Sequence, residues 1–238
     1  RSLLPDTPEP AQTASAQGLL PRDLGLWLLG LMALLCMVPE GAVMDWAAIY
    51  LAQELGADAF RSGLGFAFFA GAMAVMRFSG DVVRNRFGAV KTLQISGLAG
   101  AAGLLIAALS PHDTLALAGF ALSGLGVANL APVMYSAAGN HPGLPRGAGI
   151  AAVTMMGYSG ILVAPSTIGF VAEHVGFRFT YAALAVLLLI VAALAGSAVS
   201  LRACANMVDA IWADQPGPPL GRASLAGRPG VQVEAARF

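Results

Sequence analysis

Pro39-Glu40-Gly41-Ala42-Val43-Met44-Asp45-Trp46 decides how this chain is read. The stretch sets a proline, a glycine and two carboxylates inside an apolar run that begins at Leu24. At membrane depth a carboxylate costs about 2.5–3.5 kcal/mol unless it faces a cavity or a partner, so acids there are functional candidates. Composition says that a membrane is the medium. The chain is 57% hydrophobic and 11% charged, against about 25% charged in soluble domains. Net charge is zero, which gives no sign of a nucleic-acid partner.

Outward from that stretch, six segments are long and apolar enough to cross a bilayer core of about 30 Å, which takes about 20 helical residues. They cover 24–51, 63–79, 90–109, 115–138, 148–172 and 179–201, with short connections at 52–62, 80–89, 110–114, 139–147 and 173–178. Six in succession cannot all be core helices of a soluble protein. The fold class is an all-α membrane protein with the lipid bilayer as its partner. Residues 1–23, rich in Pro, Ala, Ser and Gln, have linker composition. Residues 202–238 form a tail, disordered beyond Gln215 by composition, after a short stretch to Trp212 that suits a membrane interface. Cys36 and Cys204 are poorly placed to pair, and neither has metal-ligand spacing.

Lysine and arginine bias orients the spans. Eleven of these residues fall on the side holding both termini and only Arg61 and Arg178 on the other, so both ends are expected to be cytoplasmic. Trp46 and Tyr50 then fall near the outer interface. The spans also read as two inverted sets of three. The first is expected to break at Pro39-Glu40-Gly41 and the fourth at Asn129-Leu130-Ala131-Pro132, at similar distances from their starts. Paired breaks point to a transporter site built on inverted repeats, although proline alone is tolerated in membrane helices. Gly97, Gly100 and Gly103 strip one face of the third span for close helix contact. The sixth, uniformly apolar, is expected to face lipid over much of its circumference.

The connection Arg77-Phe78-Ser79-Gly80-Asp81-Val82-Val83-Arg84-Asn85-Arg86-Phe87-Gly88 is the second constellation. Asp81 and Arg84 are three apart, on one helix face if the span continues. A charge lock at the cytoplasmic side and plain positive-inside topology both account for the arginines.

This stretch resembles the loop between the second and third helices of a major facilitator superfamily repeat: glycine, three residues, aspartate, arginine, any residue, glycine, then basic residues. Asn85-Arg86-Phe87-Gly88 matches the aspartate–arginine–x–glycine part, with asparagine for aspartate and Asp81 in the place of the glycine. Such degenerate forms occur in the second half of these transporters. The segment Glu40–Trp46 also resembles a stretch of bacterial permeases of the superfamily. The resemblance covers 24–201 and implies helices seven to twelve of a twelve-helix carrier in the bacterial inner membrane. It further implies a central-loop remnant at 1–23, a missing N-terminal six-helix half, and a cavity lined by the first, second, fourth and fifth spans.

On that reading the substrate and proton pathway comprises Glu40, Asp45, Asn129 and Tyr158. The cytoplasmic gate comprises Arg77, Asp81, Arg84, Arg86 and Gly88, and the helix breaks Pro39, Gly41 and Pro132. Glu40 lies about 24 Å along its helix at 1.5 Å per residue. A dry cavity disfavours the charged form of a carboxyl, as proton coupling requires; a structural carboxylate bonded to backbone freed by Pro39 is the plainer account. Asp45, nearer the surface, is more simply hydrated. The expected function is alternating-access transport of a small solute, sugar-like or otherwise polar, with efflux of amphipathic compounds as the alternative; Phe66, Phe68, Phe69, Met73 and Met76 suit the latter. Gly157-Tyr158-Ser159-Gly160 superficially matches intramembrane serine proteases, but His112, His141 and His174 lie in loops at span ends, away from the serine. No phosphate-binding loop is present, and no cofactor or metal is implied.

Overall fold

The computed structural model describes residues 24–141 and 146–213, except for the side chains of Asp81, Arg146 and residues 197–213. Six helices follow in order: α1 (Leu24–Leu55), α2 (Ala59–Leu109), α3 (Asp113–Val127), α4 (Leu130–Gly139), α5 (Arg146–Val175) and α6 (Phe177–Ala213). The six membrane spans map onto them as Leu24–Leu55, Ala59–Gly80, Val82–Leu109, Asp113–Gly139, Gly147–Val175 and Phe177–Gly196. The second and third spans thus share α2, and α3 with α4 makes the fourth. The stretch to Trp212 is a helical continuation of α6, whereas 1–23 and the tail beyond Ala213 lie outside the described residues.

Connections are tighter than hydropathy indicates, because helices continue into polar sequence wherever the backbone can be capped. Between α1 and α2 only 56–58 intervene. Asp58 caps α2 by accepting from the Arg61 amide at 2.9 Å. A single residue, Gly176, separates α5 from α6; with φ at +85° it donates to Ala172 O at 2.9 Å, ending α5 in a left-handed cap. The expected loop at 80–89 is helical throughout except at Gly88.

Gly88 turns the chain between the second and third spans. Its φ of 78° and ψ of 165° lie in a region essentially restricted to glycine, and Thr92 Oγ1 donates to its carbonyl at 2.7 Å. Alanine here is expected to cost about 1–3 kcal/mol, read as a lower thermal unfolding midpoint of the full-length protein. Gly41→Ala, a helical position with open space around it, is the control that should leave the midpoint level or raise it. Equal midpoints for the two variants would remove the special role of Gly88.

One of the two expected breaks is absent. α1 runs unbroken through Pro39 and Gly41, since a proline removes one intrahelical N–H bond and neighbouring helices hold the span in line. The other is present: α3 ends at Val127, and Ala128 and Asn129 form a turn before α4. Pro132 falls in the first turn of α4, where its missing N–H has no intrahelical partner to lose.

The glycine strip does what its spacing implies. A Cβ at Gly103 would fall on the backbone of Ser123, and one at Gly126 on the backbone of Gly100. A Cβ at Gly97 would lie 3.0 Å from the Leu188 carbonyl. The third span is therefore pressed between α3 and α6. α1 makes the equivalent contact with α5, where Gly157 meets Met37 and Gly160 meets Val38.

Aromatic packing closes the bundle at the end carrying Glu54. Tyr50 lies edge-on to Phe120 and Tyr181, with ring centroids 6.0 and 5.2 Å away, and its hydroxyl donates to Ala107 O at 2.6 Å. Its exposure is 0%, so Tyr50 is a core pin rather than an interface ring, the buried carbonyl supplying its polar partner. Around it, Glu54 accepts from the Phe177 amide at 2.8 Å and pairs with Arg178 at 3.6 Å, while Arg61 pairs with Asp113 at 2.7 Å.

The six spans form two inverted three-helix repeats, and burial within the chain follows that division. The middle spans of the two triplets are the least covered, at 22% and 28%, against 44% for the sixth. The sixth leaves more than half of its apolar stretch uncovered within the chain, while Leu188 and Ala192 pack against the glycine strip.

Candidate functional site

Halfway along α1, Glu40 is enclosed in the bundle. It is 9% exposed. Its Oε1 accepts from Arg77 Nη2 of the second span at 3.3 Å, while Oε2 is buried without a hydrogen-bond partner. The sequence reading assigned Glu40 to the pathway and Arg77 to the gate; the fold brings them together. The missed signal was Arg77 itself, since an arginine inside a span at 63–79 is as conspicuous at membrane depth as an acid.

Beside this pair lies a cleft of about 180 Å³, lined by Arg77, Gly80, Arg84, Asn129, Pro132 and Val133. The turn between α3 and α4 puts Asn129 on its wall. Asn129 is 4% exposed, and its Nδ2 has no partner. A Cβ at Gly80 would lie 2.5 Å from Asn129 Oδ1, so the absence of a side chain at Gly80 is what lets the amide fit. The cleft thus gathers two guanidinium groups and an amide from the second, third and fourth spans, and none of the described residues that line it is acidic.

Tyr158 on α5 is 54% exposed. Tyr135 of α4, which sequence reasoning passed over, lies within electrostatic reach of Tyr158, Cys36 and Glu40, and donates to Met37 Sδ at 3.6 Å. Tyr135 thus stands in the same region of the bundle as Glu40 and Tyr158. Asp45 is exposed and stands apart from it. Among the gate residues, Arg84 reaches the cleft, Arg86 is exposed with its guanidinium 6.0 Å from the Phe87 ring centroid, and Gly88 forms the turn. The side chain of Asp81 lies outside the described residues. Ser159 donates to Met156 O of its own helix at 2.7 Å, and His174 Nδ1 lies 2.8 Å from Phe170 O.

Comparison with known proteins follows the same direction. The family model described as Major Facilitator Superfamily matches residues 25–220. An uncharacterized MFS-type transporter of Yersinia pestis is 36% identical over 165 residues, covering 69% of this chain and 43% of that protein. The uncharacterized transporter y4wD of Sinorhizobium fredii is 34% identical over 182 residues, covering 76% and 48%. The chain therefore spans less than half the length of these relatives. Among solved structures, the peptide transporter POT in complex with sulfate aligns with a TM-score of 0.66 at 19% identity, over 79% of this chain and 44% of that one. A mutant of the same transporter bound to alafosfalin aligns with a TM-score of 0.64 at 20% identity, over 81% and 46%. At that identity the likeness is one of fold.

Proposed function

The chain belongs to the Major Facilitator Superfamily, and on that premise we propose that it is half of a secondary active transporter moving a small polar solute by alternating access, coupled to protons through Glu40. The observation that carries the proposal is the Glu40–Arg77 pair, a carboxylate in mid-span with one oxygen on a guanidinium and the other unpartnered. Protonation of Glu40 removes the charge that holds Arg77. The guanidinium, which already lines the cleft, is then freer to bond the solute, so that proton and solute occupancy favour the same state. Asn129 and Tyr158 meet the solute from the fourth and fifth spans. The thinly covered second and fifth spans close against an N-terminal six-helix half, and Asp81, Arg84 and Arg86 secure the inward side in an inner membrane with both termini cytoplasmic.

The test is uptake by the full-length carrier in proteoliposomes, using a solute found by ligand screening. Glu40→Gln is expected to abolish accumulation driven by a pH gradient while sparing exchange of solute across the membrane. Unchanged accumulation with unchanged pH dependence would sink proton coupling at Glu40. Efflux of amphipathic compounds is the rival reading, favoured by Phe66 and Phe68, each 46% exposed. Outward movement of such compounds, insensitive to Glu40→Gln, would select it.

A further inference from the structure

Two of the side chains lining the cleft beside Glu40, Arg77 and Asn129, carry N–H donors that the described residues do not saturate. Buried amide donors in folded proteins are almost always paired, yet Asn129 Nδ2 is enclosed, on the cleft wall, and unpaired. Arg77 is not saturated either. Its contact with Glu40, at 3.3 Å, is longer than the roughly 2.7–2.9 Å of a charge-assisted N–H···O bond. Its side chain is 48% exposed, and a guanidinium has five N–H donors in a planar fork. A partner that satisfies an amide N–H and a guanidinium fork together is an oxyanion, and a carboxylate is the one small enough to carry attached carbons into this cleft.

We propose that this cleft receives a carboxylate group of the transported solute, bonded to Asn129 Nδ2 and to the face of Arg77 turned away from Glu40. The inference rests on the transporter reading above and narrows its substrate to small carboxylate-bearing compounds. The cleft volume of about 180 Å³ admits a carboxylate and a few attached carbons, so the rest of a larger solute lies outside it. Arg77 becomes the shared element, held by Glu40 on one side and by the solute on the other.

The test is thermal unfolding of the purified full-length carrier in phosphatidylcholine nanodiscs with acetate, lactate, succinate and benzoate, each against its neutral amide. At least one acid is expected to raise the midpoint where its amide does not. Asn129→Ala should weaken that acid's apparent Kd about tenfold, the worth of a charge-assisted hydrogen bond, and Asn129→Asp, which sets carboxylate against carboxylate, should remove the effect. If Asn129→Ala does not fold, Gly80→Ala tests the same amide indirectly, because the added methyl displaces Asn129 Oδ1. The proposal falls if no acid stabilises the carrier, if amides match their acids, or if Asn129→Asp leaves the effect intact. It falls too if, in parallel nanodiscs containing phosphatidylglycerol and no added acid, that lipid alone gives the Asn129-dependent stabilisation, which would make the ligand a lipid headgroup. Failure of the parent reading looks different: acids bind, but no solute is transported. Transport of neutral solutes without acid binding overturns this inference alone.

Discussion

Alanine at Gly126 is expected to cost about 3 kcal/mol, at the upper end of the usual range for overpacking, although it adds only one methyl. The added carbon would lie 2.6 Å from Gly100 Cα and 2.7 Å from the Ser96 carbonyl. These are backbone atoms, and no rotamer change can clear them. α3 must move away from the third span, which also opens the Gly103–Ser123 contact between the same two helices. The measurement is the thermal midpoint of the full-length carrier, with Gly71→Ala as reference, because nothing lies within 4 Å of a Cβ there. If the two variants unfold together, the helices are not in backbone contact at Gly126.

Arg77→Ala is expected to cost about 2–3 kcal/mol and to stop transport. Removing one partner of a buried ion pair costs about 3–5 kcal/mol, because the other charge is stranded. The lower figure applies here because Arg77 is half exposed while Glu40 is enclosed. The diagnostic is the double variant. Once Glu40→Gln is added, no charge is stranded, so most of the lost stability should return while transport stays absent. A double variant no more stable than Arg77→Ala would mean that Arg77 matters through packing of its stem, not through Glu40.

Much of the fold is legible in the sequence because the membrane imposes a simple rule: a span needs about 20 apolar residues with all backbone bonds satisfied internally. The six spans and the glycine strip follow from that rule and from small-residue spacing. The fate of Pro39 does not, since whether a proline bends or ends a membrane helix depends on neighbours that arrive from elsewhere in the chain. Tyr50 misled for a related reason. An amphipathic ring near a span end suits an interface, but a carbonyl 57 residues away offers the same hydroxyl a partner in the core. The candidate site was half visible. Glu40 and Asn129 stood out as polar groups at depth, whereas Arg77 was absorbed into an adjacent basic loop, and its pairing across 37 residues is a tertiary fact. The reason for glycine at position 80 appears only once Asn129 is seen against it.

The clasp at Glu54 also sets a schedule. Its carboxylate and the Phe177 amide that it accepts from are 123 residues apart. At synthesis rates of roughly 5–20 residues per second, Glu54 emerges roughly 6–25 seconds before that partner exists. For that interval the first span stands without its closing contact, and the cheapest place for an unpartnered carboxylate is the hydrated headgroup layer. The start of α6 thus fastens the end of α1, and this end of the bundle can close only when the four spans between them have also been made.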